Sequence, residues 1–199
     1  MPTPYDYTDP PPPPEFDLIP DPTVATVSLH IDAGNVGEDG LLTRSQDGLC
    51  EMLVVVLTII DGLYKGRKIW ERWILAGTTD GHAWSKYLNF LTLKAILDAA
   101  LGLDPKDESP QARAARSISL KEFEGKVFIG KIGIEKGKPK KDKPGENWPD
   151  KNVLAGVITK GGKDWHPVEQ PPPFNGGGGA AASSTPQSAP PIARPGWAS

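Results

Sequence analysis

The chain has 199 residues, with 22 prolines, 22 glycines, one cysteine and a formal net charge of −3, which leaves room for one ordinary domain with extended flanks. Cys50 alone makes neither an intramolecular disulfide nor a thiolate metal site, and this fits a reducing, intracellular compartment. The acidic, Pro-containing start "MPTPYDYTDP" lacks the basic and apolar regions of a signal peptide, and the longest apolar run, residues 52–60, falls far short of the roughly 20 residues of a membrane span, so a cytoplasmic protein with no membrane partner is expected.

Residues 1–22 hold nine of the prolines and read as an acidic, polyproline-like arm, a disordered lead-in or a binding peptide. Residues 1–43 carry eight acids and no Lys or Arg, leaving 22 bases against 17 acids in the remainder. Such a sign asymmetry is one mark of a polyanion partner. Residues 23–167 have the apolar density of a folded domain.

Within the domain, "VATVSLHI" (24–31) alternates and is β-branched, giving a first strand followed by the loop "DAGNVGEDG". "LCEMLVVVLTII" (49–60) is apolar on both alternating sets, as a strand buried on two faces must be. "DGLYKG" (61–66) turns into a third strand at 67–75. The period then changes. Residues 82–101 place Trp84, Leu88, Leu91 and Ala95 on one helical stripe and Phe90, Leu93, Leu97 and Leu101 beside it, with Ser85, Lys86, Asn89 and Thr92 as the polar side. Thr79 or Asp80 caps this helix and Gly102 ends it. Ser109 with Pro110, and the Ser119/Glu122 capping box, predict two short helical turns. Strands at 126–135 and 152–159 follow, and residues 168–199 form a Pro/Gly/Ala-rich tail ending near an isolated Trp197.

This order predicts a mainly β protein: an OB-fold-like, five-stranded β-barrel with its helix between strands three and four, ligands being held by strands two and three and the loops after strands one and four. No phosphate loop, nucleophile elbow or metal-ligand spacing of His30, His82 and His166 accompanies it, and "GGGG" at 176–179 lies in the tail, so no enzymatic activity and no cofactor or metal are expected. A nuclease built from scattered carboxylates needs no local motif and stays as a minor alternative.

Binding a single strand without reading its sequence takes a positive groove and aromatic faces. "YKGRKIWERW" supplies Lys65, Arg67, Lys68 and Arg72 interleaved with Trp70; alternation puts Lys68, Trp70 and Arg72 on one face and Ile69, Trp73 and Leu75 on the other. Trp70 is assigned to the ligand face and Trp73 to the core, the alternative being that both pack beneath the helix. The loop after strand four adds Lys136, Lys138, Lys140, Lys141 and Lys143 with one acid, Asp142, in that span, and Trp148 at its far end. It is read as a clamp opposite the basic hairpin, the alternative being a merely solvated loop.

"GLCEMLVVVLTIIDGLYKGRKIWERWIL", "LTLKAILDAALGLDP", "LKEFEGKVFIGKIGIEKG" and "DKNVLAGVITKGGKDWHPV" together resemble the phage and prophage family known as domain of unknown function 669, over residues 24–168. The resemblance implies an OB-like fold, single-stranded DNA coating in phage replication or recombination, a bacterial host cell, and a recombinase or replication protein as partner. Bacterial single-strand binders typically recruit partners through an acidic tail; this tail carries one acid, Glu169, and the N-terminal arm is the nearer analogue. A second reading is a protein-interaction adaptor working through its Pro-rich arms, with the barrel as scaffold.

Overall fold

The structure is a computed structural model describing residues 17–140, 143 and 145–171. Its elements are β1 (Thr23–Ile31), β2 (Leu42–Arg44), β3 (Cys50–Ile59), β4 (Lys68–Gly77), α1 (Asp80–Leu101), α2 (Pro110–Arg116), a 3₁₀ turn (Leu120–Phe123), β5 (Val127–Glu135) and β6 (Lys151–Ile158). Each strand expected from hydrophobic period is present to within two residues at either end. The short β2 is additional, and three residues are too few to show a period.

All strand pairings are antiparallel. β4 lines one edge of β3; the other edge is shared by β1, along residues 55–59, and β2, along residues 51–53. β1 pairs onward with β5, and β5 with β6. The five long strands therefore run β4-β3-β1-β5-β6.

Of the partly open, OB-fold-like five-stranded barrel expected from sequence, the structure shows the mainly β character, with a sixth strand and a sheet that does not close. The six-stranded sheet is open, and α1 follows the fourth strand because β2 precedes it. Register shifts at Glu51/Met52 and Lys131/Ile132 coil the sheet, as bulges do. They bring β4 and β6 close enough for the Leu154 N–H to donate to Glu71 Oε1 at 2.8 Å. Side chains, not a ladder, cross the seam.

The concave face carries Val27, Leu29, Leu53, Val55, Leu57, Ile59, Ile69, Trp73, Phe128 and Ile132, all buried in one cluster with Leu93, Ile96 and Leu97 of α1. Ile19, from the segment before β1, joins them at 1 % exposure. It is held on both backbone groups by one amide: the Ile19 N–H donates to Asn152 Oδ1 and Asn152 Nδ2 donates back to the Ile19 carbonyl, each at 2.9 Å.

The capping signals are used: Thr79 Oγ1 accepts from the His82 N–H, Ser109 Oγ from the Ala112 N–H, and Ser119 and Glu122 form their box. Gly102 ends α1 in the left-handed conformation, φ 65°, which a residue without Cβ adopts at no steric cost.

The expected faces of α1 are corrected. Its C-terminal half buries Leu93, Ile96, Leu97 and Ala100, but its N-terminal half turns the other way, leaving Trp84, Leu88, Phe90 and Leu91 exposed. Asn89, assigned to the polar side, points at the sheet, where its Nδ2 donates to the Ile74 carbonyl at 3.0 Å. The cause lies in β4: beyond the bulge its backbone needs donors, and an amide supplies one where a leucine does not. Over the C-terminal half, α2 covers the outward stripe through Arg116, whose Nε donates to the buried Asp98 at 2.6 Å, with Lys94 on the second carboxylate oxygen at 3.0 Å.

Ile19→Ala is expected to cost about 2–5 kcal/mol, the usual range for emptying a fully buried isoleucine site. Urea unfolding monitored by circular dichroism checks it, and a loss below about 1 kcal/mol would mean that Ile19 is not part of the cooperative core.

Candidate nucleic-acid interface

β4 presents two chemically different faces. Because Ile69, Trp73 and Leu75 are buried beneath it, alternation sends Lys68, Trp70 and Arg72 to the convex surface, where Trp70 is 60 % exposed. The two tryptophans thus divide as the sequence pattern indicates. On β3, Trp70 sits opposite Val56, Lys68 opposite Thr58 and Arg72 opposite Val54. Trp70 therefore faces an apolar position of β3 and lies between two cations on its own strand.

Of the hairpin cations, Arg67 is engaged: its Nη2 donates to the Asp17 carbonyl at 2.8 Å, tethering the segment that leads into Ile19. Lys65, Lys68 and Arg72 form no ion pair among the described residues. Tyr64 packs against the core.

The lysine segment after β5 is an ordered continuation of the β5–β6 hairpin. The Trp148 N–H donates to the Lys138 carbonyl and the Lys140 N–H to the Glu146 carbonyl, each at 2.9 Å, with a further bridge between Pro139 and Asn147. Gly137 is required there, since a Cβ would collide with the Trp148 carbonyl oxygen.

Folding the segment into a ribbon changes its electrostatics. The Lys136–Lys143 span contains one acid, but the ribbon carries Glu146 and Asp150 across to it, and Glu135 precedes it on the same strand. Lys136 meets Asp150 at 2.6 Å, Lys138 meets Glu135 at 3.5 Å, and Glu146 takes both Lys140 at 2.8 Å and Lys143 at 3.9 Å. A hydrogen bond from the Lys136 ammonium, aided by the Gly137 N–H, holds the Asp150 carboxyl below its ordinary range. Lys151 and then Lys138 do the same for Glu135. Lys140 also lies 5.4 Å from the centre of the Trp148 ring, which is 61 % exposed. Lys141 lies outside the described residues, as do the Pro-rich arm up to residue 16 and the tail from residue 172.

Ribbon and hairpin sit at the same end of the sheet. Arg67 grips residue 17 and Asn152, at the base of the ribbon, grips residue 19, so the two cationic elements flank one short stretch of chain. The site is thus two cationic surfaces, each with one exposed tryptophan.

Sequence reasoning missed a third aromatic surface, Trp84, Tyr87 and Phe90 of α1: it set Trp84 and Phe90 on the apolar stripes of the helix and left Tyr87 unassigned. A signal was present: Trp84, Tyr87, Leu88, Phe90 and Leu91 occupy more of the helix circumference than one sheet covers. His30 is paired with Glu124 at 2.7 Å, and no group of three or more His, Cys, Asp or Glu that could hold a metal ion occurs among the described residues. No helix among them is long and apolar enough to cross a membrane. No family model, no curated protein and no solved structure matches the chain.

Glu71, on the inner face between Ile69 and Trp73, has its carboxyl pushed above the ordinary glutamate range by burial, opposed in part by the Leu154 N–H. A folded-state pKa raised above the unfolded value means that the folded protein binds more protons between the two. Its contribution to stability is therefore lost as pH rises through that window, from the ordinary 4.5 upward. Glu71→Gln keeps an acceptor for Leu154 without the charge, and thermal unfolding across pH 4 to 8 is expected to lose that part of its pH dependence. An unchanged profile would remove Glu71 as its source.

Proposed function

We propose that this chain binds single-stranded DNA with little sequence preference through the convex face of β4. The observation that carries the reading is Trp70, 60 % exposed, opposite Val56 on β3 and bracketed by Lys68 and Arg72, neither of which is neutralised by a carboxylate among the described residues. A base stacks on any exposed indole whatever its identity, and cations one pleat to either side meet the flanking phosphates. Lys65 extends the track at the hairpin, and Arg67, committed to the Asp17 carbonyl, adds its charge at the track's edge.

The ribbon plays a secondary part. Lys136, Lys138 and Lys143 are exposed and Lys140 is half-buried, but each already has an acidic neighbour, and surface pairs of this kind are worth about 0–1 kcal/mol. Phosphate can displace such a carboxylate, yet gains less than from an unpaired cation. Trp148 serves as a second stacking platform.

An OB-like architecture is the fold reading that accords best with the strand order β4-β3-β1-β5-β6, with a helix between the third and fourth long strands and with the approach of β4 to β6. In that reading the ligand face is β3–β4 and the ribbon is the loop after the fourth long strand. The resemblance to the phage family supports a non-enzymatic role in replication or recombination in the host cytoplasm, beside a recombinase or replication protein.

Fluorescence titration with oligonucleotides tests the reading. Four to six phosphate contacts give a log–log salt slope of roughly −3 to −4, and no detectable binding at about 50 mM salt would end the proposal. Trp70→Ala is expected to cost about 1–3 kcal/mol of binding free energy. Replacing Lys68 and Arg72 by Ala together should flatten the slope by more than replacing Lys138, Lys140 and Lys143; the reverse order would move the site to the ribbon. A chain cut to residues 17–171, which keeps Ile19 and Gln170, is expected to retain binding, whereas its loss would favour an adaptor working through the arms.

A further inference from the structure

The outward stripe of α1 changes character halfway along. From Lys94 onward it is covered by α2, with Arg116 on Asp98. In the two preceding turns nothing among the described residues lies on it, and Trp84, Tyr87, Leu88 and Leu91 follow one another at i, i+3, i+4 and i+7 on the side opposite Leu93, Ile96 and Leu97. Trp84 is 63 % exposed, Tyr87 54 %, Leu88 44 %, Phe90 50 % and Leu91 46 %. The Trp84 and Tyr87 rings stack at 5.5 Å, and Lys86 lies 5.8 Å from the centre of the Phe90 ring.

We propose that this face pairs with the same face of a second copy of the chain, forming a two-fold dimer in which the two α1 helices cross at Leu88. Area is the first argument. With each aromatic side chain bringing about 150–250 Å², the five residues leave on the order of 500 Å² open, at the upper end of what single-copy proteins tolerate. That is more than half of the roughly 800 Å² each partner buries in a standard interface, and the polar rim supplies the rest. Charge is the second. The open seam itself carries no cation: Lys86 lies off it beside Phe90, and the nearest charge on it, Asp80, stands at the start of α1, two turns from Leu88, so a two-fold contact crossing at Leu88 buries no unpaired charge, whereas a nucleic-acid strand would find an acid and no phosphate partner on the seam. Pattern is the third: the i, i+3, i+4, i+7 seam is what a partner helix fits. The tail beyond residue 171 offers Phe174, Ile192 and Trp197 at no helical or strand spacing.

Sedimentation velocity of the full, DNA-free chain over about 1–100 µM reads the association directly. Dimers are expected, dissociating on dilution, and Leu88→Glu is expected to raise the dissociation constant at least about 100-fold, the loss that follows burying one unpaired charge per protomer. Leu88→Cys supplies an independent readout, since two copies crossing there yield a disulfide-linked dimer on mild oxidation while the wild type, whose Cys50 is buried, does not. A wild-type chain that stays monomeric throughout, or dimerises only after residues 172–199 are removed, overturns the proposal. So does a dimer indifferent to Leu88→Glu and not cross-linked through Leu88→Cys. Weaker oligonucleotide binding by Leu88→Glu with no change in association would assign the face to nucleic acid instead.

Discussion

β4 and β6 approach each other without pairing, and most of what is distinctive in this molecule follows from how that seam is filled. A sheet with two free edges inside its own fold leaves backbone donors and acceptors without a ladder. Here the deficit is met piecemeal: Glu71 accepts from the Leu154 N–H, while Asn152 takes both backbone groups of Ile19 and also donates to the Gly133 carbonyl. The segment before β1 thereby becomes part of the core. A carboxylate is drawn into partly buried surroundings by the same requirement, which is why its pKa rises.

The seam also orients the candidate site. With Ile69, Glu71 and Trp73 committed to the inner face, β4 has no choice about Lys68, Trp70 and Arg72. The hairpin before β4 is anchored through Arg67 to residue 17, and the ribbon after β5 is anchored through Asn152 to residue 19, so one short stretch of chain, pinned by the buried Ile19, fixes both cationic surfaces at one end of the sheet. Their electrostatics nevertheless differ. On the ribbon, charges of opposite sign face each other across a hairpin and mutually screen; on β4, the neighbouring positions on β3 are Val54, Val56 and Thr58, which offer no carboxylate.

Much of this was legible in sequence, for a specific reason. Period-2 alternation in "RKIWERWIL" is a property of the chain alone, and it separates Trp70 from Trp73 before any partner strand is known. The caps at Thr79, Ser109 and Ser119 are equally local, since each satisfies a helix terminus within three residues of itself. The lysine segment shows where such reading stops: Asp142 is the one acid within the run, yet the carboxylates that meet its described lysines are Glu135, which precedes it on the same strand, and Glu146 and Asp150, brought in by hairpin register. The helix α1 fails for a related reason. Its amphipathic stripes are nearly balanced in the N-terminal half, and the decision to turn Asn89 inward belongs to a carbonyl on β4, not to α1.

The sequence by itself therefore determined the five long strands and the helices, their order, and the inward or outward sense of Lys68, Ile69, Trp70, Arg72, Trp73 and Leu75, because these depend on spacing along one chain. Only the tertiary structure decided that the sheet stays open, that Ile19 belongs to the core, that the ribbon lysines are paired and that the aromatic face of α1 looks outward. Each of those depends on which groups the fold sets against one another to share a hydrogen bond, a charge or a surface, and no local period encodes the outcome.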